Sequence, residues 1–159
     1  MQLTQHADYS LRVLLYLGLH PGRRCTITEI AEAYGVNRNH MVKVVHKLSQ
    51  AGWIKTVRGR SGGMSLALKP EQINIGAVTI GTEPHMNLLE CFDPETNTCP
   101  ISPVCVLKHG IFQARKAFLD TLNRYSLADV LIQPEATLAL LHQAESVGDC
   151  SSHRGHVKP

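Results

Sequence analysis

The sequence predicts a mainly α-helical fold that carries one small β-hairpin and continues into a long amphipathic helix. Two helical segments flank a tight turn at Gly35, and two strand-like segments flank a glycine-rich turn at residues 58–63. Apolar residues then recur every three or four positions from Val104 to Leu122 and predict a long helix that ends at about Tyr125. The first two features together indicate a winged helix-turn-helix domain. A chain of 159 residues is long enough for such a domain with an appended helix.

Capping signals define the first three helices. Apolar spacing predicts helix one over about residues 4–20. Thr26 and Glu29 are three residues apart, as in a capping box at the start of a short second helix. Asn37 is a good N-cap for a third helix that runs to about Gln50.

The third helix has one apolar face and one polar, basic face. Its apolar positions have helical spacing and predict a buried stripe of Met41, Val44, Val45 and Leu48. The opposite face carries donors that can contact base edges in a major groove. We therefore predict a recognition helix, with DNA contacts at Arg38, Asn39, His40, Lys43, His46 and Lys47.

The hairpin is predicted to be the wing. Residues 53–57 and 64–68 have strand character and are joined by a turn that contains three glycines. Arginines at the tip suit a phosphate backbone or a narrow minor groove. A phosphate-cradling nucleotide loop is the rival interpretation, but the segment lacks the Lys-Ser/Thr ending and no long helix follows it. The predicted wing contacts are Arg58, Gly59 and Arg60.

Positive charge is concentrated in the first half of the chain. Residues 1–69 contain ten lysines and arginines against three acidic residues, a net charge of +7, whereas residues 70–159 contain six against ten, a net charge of −4. A basic half of this kind is typical of nucleic-acid binding. The chain has no apolar segment long enough for a membrane span and does not start with a secretory signal, so we expect a cytoplasmic protein.

The rest of the chain divides by composition. We predict a DNA-binding domain at 1–70, a connecting element at 71–82, a cysteine-rich loop at 83–106, a dimerisation helix with C-terminal helices at 104–145, and a mobile tail at 146–159. The heptad-like seam of the long helix predicts pairing with a second copy of the chain. Within that plan the shorter helices are predicted at 75–82, 126–132 and 135–144. We interpret Cys25 as a buried thiol.

Three of the five cysteines, Cys91, Cys99 and Cys105, share one loop. Its prolines exclude a continuous helix and it has few apolar groups, so something other than packing is expected to order it. A disulfide, a zinc ion completed by His85 or His109, and an iron-sulfur cluster all remain open. The odd cysteine count disfavours a disulfide framework, and zinc sites usually contain a closer cysteine pair. Widely spaced thiolates suit the larger cluster.

Asp8 has a simple explanation from local spacing. It lies in the first turn of helix one, where the helix dipole favours a negative charge, and Arg12 follows four residues later. These two effects predict a local ion pair and no binding role. A different role for Asp8 comes only from a resemblance to known proteins.

The order of motifs resembles one family of regulators. The opening Leu3-Thr4, Asp8-Tyr9 and Leu11-Arg12, the helix-turn-helix, the wing RGRSGG and the cysteine triad occur as in the dimeric winged-helix repressors that carry an iron-sulfur cluster, the family of NsrR and IscR. The resemblance covers Met1 to about Ile132. It is closer to the NsrR-type nitric-oxide sensors, because IscR-like members have a histidine three residues after the third cysteine and this chain has Lys108.

That resemblance implies a function and a ligand set. It implies a homodimeric repressor that binds a near-palindromic double-stranded DNA operator and releases it in response to nitric oxide, so that nitric-oxide detoxification genes are expressed. It implies a 4Fe-4S cluster, with 2Fe-2S as the alternative, held by Cys91, Cys99, Cys105 and the Asp8 of the other subunit. The alternatives are an IscR-like regulator of cluster biogenesis or iron status, and a zinc-stabilised DNA-binding module. No catalytic arrangement is found, so an enzyme is not expected.

Overall fold

The computed structural model describes residues 2–59 and 62–149. Most of this part of the chain is helical, and its one antiparallel hairpin pairs Ile54 with Leu66 and Val57 with Gly63. This arrangement confirms the predicted fold class. The helices are α1 Gln5–Leu19, α2 Ile27–Ala33, α3 Arg38–Gln50, α4 Ile75–Thr82, α5 Val106–Leu122, α6 Leu127–Val130 and α7 Pro134–Asp149, and the strands are β1 Ile54–Val57 and β2 Gly63–Leu66.

The caps predicted from the sequence are present. The Thr26 side chain accepts a hydrogen bond from the Glu29 amide, and the Glu29 carboxylate accepts one from the Thr26 amide. The Asn37 side chain caps α3 by accepting from the Asn39 amide at 2.8 Å. These bonds use donors that the first turn of a helix leaves unpaired, and so they fix where α2 and α3 begin.

The core lies between α1, α2, α3 and the hairpin. Leu14, Ile30, Met41 and Leu48 are each 0% exposed. The predicted buried stripe of α3 is confirmed, because all four of its members are buried. Burial of several large aliphatic side chains provides most of the driving force for such a small unit.

Chain beyond the hairpin completes this core. Leu127 of α6 is fully buried, and its amide donates to the Ile73 carbonyl at 2.7 Å. Asn74 forms an isolated bridge with Ser126. The chain therefore returns after α5 to the unit formed by α1, α2, α3 and the hairpin, which we call the head, and α1 packs against α4 and α6 as well as α3.

Helix α5 is shorter than its apolar spacing predicted, and α7 is longer than predicted. The seam predicted a helix to about Tyr125, whereas α5 ends at Leu122 and α7 continues past residue 144 to Asp149. Residues 150–159 of the predicted tail lie outside the described residues. Within the described part of the chain, no helix is long and apolar enough to cross a membrane.

Candidate nucleic-acid interface and cysteine loop

The polar face of α3 is exposed along its length. None of the six predicted contact residues of this helix is buried, and Lys47 lies in its last turn. The Arg38 Nε donates to the Thr28 hydroxyl at 3.2 Å, which ties the start of α3 to α2. Asn39 and Lys43 are exposed and can approach a base edge.

A shallow cleft separates the start of α1 from the exposed side of α3. It has a volume of about 200 Å³ and is lined by Gln5, His6, Tyr9, His40, Lys43 and Val44. Burial and the nearby charge of Lys47 lower the pKa of His6. The predicted DNA contacts His40 and Lys43 therefore lie beside α1. A movement of α1 would change the surroundings of these two side chains on the recognition helix.

The wing turns tightly at its tip. Gly59 has φ +112°, a backbone conformation that favours glycine. A Cβ on Gly62 would lie 2.5 Å from the Val57 carbonyl oxygen, so no larger residue fits there. Arg58 and Gly59 are exposed as predicted, and Arg60 lies outside the described residues.

The cysteines occupy three different settings in the loop. Cys91 lies in a short 3₁₀ turn at Glu90–Phe92, and Cys99 follows a polar turn. Cys105 is the N-cap of α5, and its Sγ accepts from the Lys108 amide at 3.3 Å. All three are free and half-buried, whereas Cys25 is fully buried in the head, where burial raises the pKa of its thiol.

The donor chemistry of the loop fits an iron-sulfur cluster, although the thiols are not gathered at one point. Soft thiolates are the usual ligands of such clusters, and a helix N-terminus favours the negative charge of one of them, Cys105. Across residues 2–59 and 62–149, no three histidine, cysteine, aspartate or glutamate side chains are close enough to share a metal ion. The loop supplies the right groups, and binding requires them to converge.

Contacts that the sequence did not predict hold the loop on α5. The Arg115 guanidinium lies 4.8 Å from the centre of the Phe92 ring and 4.9 Å from that of Phe112, and it donates to the Met86 carbonyl at 3.2 Å. Cations bind aromatic faces in this way. Phe92 and Arg115 are far apart in sequence and share no motif, so periodicity gave no signal for this contact.

Lys108 has a contact of its own. Its Nζ donates to the Ser102 hydroxyl at 2.8 Å, across the turn that precedes Cys105. A cavity of about 350 Å³ opens beside this turn and is lined by Cys105, Lys108, His109 and Phe112, together with Ser102 and Pro103. Lys108, at the position where IscR-like members have a histidine, therefore connects α5 to the cysteine loop.

Asp8 forms the ion pair that local spacing predicted. Its carboxylate accepts from the Arg12 guanidinium at 2.9 and 3.0 Å, and this hydrogen bond to Asp8 raises the pKa of Arg12. The Arg12 guanidinium also lies 5.7 Å from the centre of the Tyr9 ring and 5.6 Å from that of Tyr34. Within one chain, Asp8 thus belongs to a half-buried cluster between α1 and the end of α2.

Comparisons with known proteins place this architecture in a family. The family model described as Rrf2, an iron-dependent transcriptional regulator, matches residues 3–133. The chain belongs to the Rrf2 family. Members with this description are regulators of transcription, so the chain is a DNA-binding transcriptional regulator and not an enzyme.

Individual Rrf2 relatives agree over almost the whole length. The HTH-type transcriptional regulator NsrR of Bacillus subtilis strain 168 is 46% identical over 146 residues, which cover 91% of this chain and 100% of that protein. The NsrR of Halalkalibacterium halodurans is 46% identical over 142 residues, which cover 89% of this chain and 97% of that one.

Solved structures of regulators in this class share the fold. The structure of T. potens IscR has a TM-score of 0.67 at 23% identity, covering 86% of this chain and 90% of its own. The cysteine regulator CymR of B. subtilis has a TM-score of 0.65 at 21% identity, covering 82% and 95%. At such identities the likeness establishes the fold alone.

Proposed function

We propose that this chain is a homodimeric transcriptional repressor that carries an iron-sulfur cluster and senses nitric oxide. The cysteine loop carries the proposal: three free, half-buried thiols lie in one segment of a chain that is 46% identical to an NsrR regulator. The odd cysteine count disfavours a disulfide framework. Cys91, Cys99 and Cys105 would hold the cluster, which we expect to be 4Fe-4S.

Exposed apolar side chains on α5 support the homodimer. None of the residues of α5 is buried in a single chain. Val104, just before α5, is 82% exposed, and Val106 and Leu107 in its first turn are 84% and 69% exposed. Large apolar side chains exposed together in this way typically mark an interface. A second copy of α5 would cover this seam and bring two recognition helices into one particle.

Two linked heads set the form of the operator. Recognition helices related by a two-fold axis contact half-sites about 34 Å apart, which is one turn of DNA. The operator should therefore be near-palindromic. The basic first half of the chain would supply the attraction to phosphate, with sequence preference coming from the exposed face of α3.

The fourth ligand is proposed to be Asp8 from the other subunit. In a single chain its carboxylate is paired with Arg12 but its side chain is still 43% exposed, so it stays accessible to a partner. A carboxylate is a harder ligand than a thiolate and is less well matched to iron in a sulfur cluster. We expect Asp8 to be the weakest of the four ligands.

This assignment explains how a signal would reach DNA. A bound iron-sulfur cluster supplies iron that reacts with nitric oxide. Helix α1 packs against α3 and lines a cleft with His40 and Lys43. Because Asp8 lies on α1, a group that binds Asp8 is linked through α1 to the recognition helix. A free-energy difference of a few kcal/mol between dimers in which Asp8 is bound to the cluster and dimers in which it is released would change operator occupancy substantially.

Anaerobic purification tests the proposal. We expect a coloured dimer that contains iron and sulfide, binds its operator in a mobility shift, and loses affinity when titrated with nitric oxide. Colourless, zinc-containing protein would support the zinc-stabilised module instead. A coloured protein whose operator affinity is unchanged after complete reaction with nitric oxide would exclude the sensing role and favour an IscR-like regulator.

Ligand variants sharpen this test. Cys91→Ala, Cys99→Ala and Cys105→Ala should each abolish or cripple cluster assembly, because each removes a thiolate. Asp8→Ala should retain a cluster that is lost faster, since the three thiolates remain. Cys25→Ala is the matched control and should keep full iron content. Equal cluster stability in Asp8→Ala and the parent protein would remove Asp8 from the ligand set.

A further inference from the structure

The Glu90 carboxylate connects two parts of the cysteine loop that are eight residues apart in the sequence. The Glu90 Oε1 accepts from the Thr98 amide at 2.6 Å and from the Thr98 hydroxyl at 2.7 Å. Hydrogen bonds to an ionised acceptor are stronger than those between neutral groups. These bonds lower the pKa of Glu90, first through the Thr98 hydroxyl and then through the Thr98 amide.

The two partners are each followed by a cysteine. Glu90 directly precedes Cys91 and Thr98 directly precedes Cys99. The contact therefore closes the eight-residue step between the first and second thiols and brings their backbone attachment points together. Without it, this polar stretch of seven residues has little apolar surface to keep its ends close.

Cys91 is also anchored from its other side. Phe92 packs edge-on against Phe112 of α5, with ring centres 6.2 Å apart, and lies under the Arg115 guanidinium. Cys91 thus lies between a residue tied to Thr98 and a residue docked on α5. The second thiol is held through the loop alone, where its amide donates to the Asn97 side chain at 3.1 Å.

We propose that Glu90 is a positioning residue that holds Cys91 and Cys99 near each other before any metal arrives. The consequence for cluster binding rests on the proposed function, but the closing of the loop does not. Such closure would lower the entropy cost of gathering the first two ligands, in the way that any preorganised site does. Glu90 would act through the geometry of the two thiols and would not itself be a ligand.

The metal-free protein gives a direct measure of this closure. In a glutathione redox buffer, the equilibrium between the Cys91–Cys99 disulfide and the free thiols reports the effective concentration of one thiol at the other. Peptide mapping by mass spectrometry separates this disulfide from those of the other cysteines. We expect Glu90→Ala to lower the effective concentration about three- to ten-fold, as loss of a loop-closing contact should.

Two further variants separate positioning from general damage. Glu90→Gln keeps an acceptor oxygen and should restore much of the effective concentration. Glu95→Ala removes an exposed carboxylate from the same loop, has no side-chain hydrogen bond among the described residues, and should match the parent protein. Thermal unfolding of the head should be the same in all three variants, since the buried core of the head is untouched.

Cluster retention is the second measurement. In the anaerobic holo-protein, the half-life of the visible spectrum under a chelator should fall in Glu90→Ala and recover in Glu90→Gln. If Glu90→Ala and the parent protein have equal effective concentrations, the positioning role is wrong even where a cluster binds. If the concentrations differ but the parent protein takes up no cluster, the proposed function fails and the closing role of Glu90 stands.

Discussion

The head and the cysteine loop with α5, which together we call the distal half, are ordered by different forces. In the head, large aliphatic side chains such as Leu14 and Leu48 are completely buried. In the distal half, α5 has no buried residue, and the cysteine loop is held to it by the Arg115 cation and by isolated hydrogen bonds. A single chain therefore contains the whole core of the head, to which Leu127 of α6 contributes, whereas the cysteine loop and α5 lack a core of their own.

This contrast is useful for a switch. A head with its own core can keep its shape while its attachment to the rest of the molecule changes. A segment held by a few polar contacts can respond to a ligand or a partner, because regions with few buried apolar contacts open at low free-energy cost. The distal half should therefore be the part whose order depends on metal and on a second chain.

The largest effect should come from opening a cavity in the head. Leu14→Ala removes a fully buried side chain and should lower the free energy of unfolding by about 2–5 kcal/mol. Leu140→Ala, at a position 67% exposed, should change it by less than about 0.5 kcal/mol. Urea denaturation followed by circular dichroism measures both. Similar losses at the two sites would show that the head does not have the self-sufficient core described above.

A charge in the exposed seam of α5 should damage assembly and leave the head intact. Leu107 is 69% exposed in one chain, and we expect it to be buried between the two chains of a dimer. Leu107→Glu places a carboxylate at this position. It should weaken dimerisation by about 1–3 kcal/mol, as loss of a central apolar contact does. Sedimentation over a range of concentrations measures this. Gln113→Glu, an exposed position on the same helix, is the control and should dimerise normally.

Removing a contact on the recognition helix should affect DNA binding without affecting either half's fold. Lys43→Ala should relax the preference for particular base pairs by about 1–3 kcal/mol. Arg58→Ala on the wing should weaken binding to all sequences and lower the salt dependence by about one unit. Fluorescence anisotropy with operator and scrambled duplexes distinguishes the two effects. Lys116→Ala, on α5, should bind both duplexes like the parent protein.

The sequence predicted the head well because its signals are local. The caps at Thr26 and Asn37, and the apolar stripe from Met41 to Leu48, involve residues within one or two turns of each other. The distal contacts escaped prediction because they join residues distant in sequence, as Arg115 joins Phe92. The return of Leu127 to the core of the head was missed for the same reason, since spacing indicates a helix but not what it packs against.

The sequence predicted which residues belong to the candidate metal site but not how they are arranged in space. Spacing places Cys91, Cys99 and Cys105 in one loop, and it pairs Asp8 with Arg12 as the structure does. Whether four groups from two chains converge depends on metal and on assembly, which no local pattern encodes. The contact between Glu90 and Thr98 was not predicted either, because a carboxylate eight residues from a threonine is not a recognised motif.

The smallest effect is a pH dependence confined to the head. The Glu29 carboxylate accepts from the Tyr16 hydroxyl at 2.9 Å and pairs with Arg23. Burial opposes the ionisation of Glu29, but the bonds from Arg23, Tyr16 and Thr26 outweigh it and lower its pKa below the ordinary 4.5. Since the folded pKa is the lower one, the ionised group stabilises the fold above the unfolded pKa, and this contribution is lost as pH falls through the folded value.

Glu29→Gln isolates this contribution. At pH 7 the variant should be less stable than the parent protein by about 1 kcal/mol, because glutamine still accepts from the Tyr16 hydroxyl but lacks the negative charge that strengthens this bond and the bond from the half-exposed, water-screened Arg23. As pH falls below the ordinary 4.5 and through the lowered folded pKa of Glu29, the parent protein should lose that advantage, so the stabilities of the two proteins converge. Glu95→Gln, in the distal loop, should follow the parent curve at every pH. A difference in stability between Glu29→Gln and the parent protein that stayed constant as the Glu29 carboxylate became protonated would mean that the charge of this carboxylate does not stabilise the head.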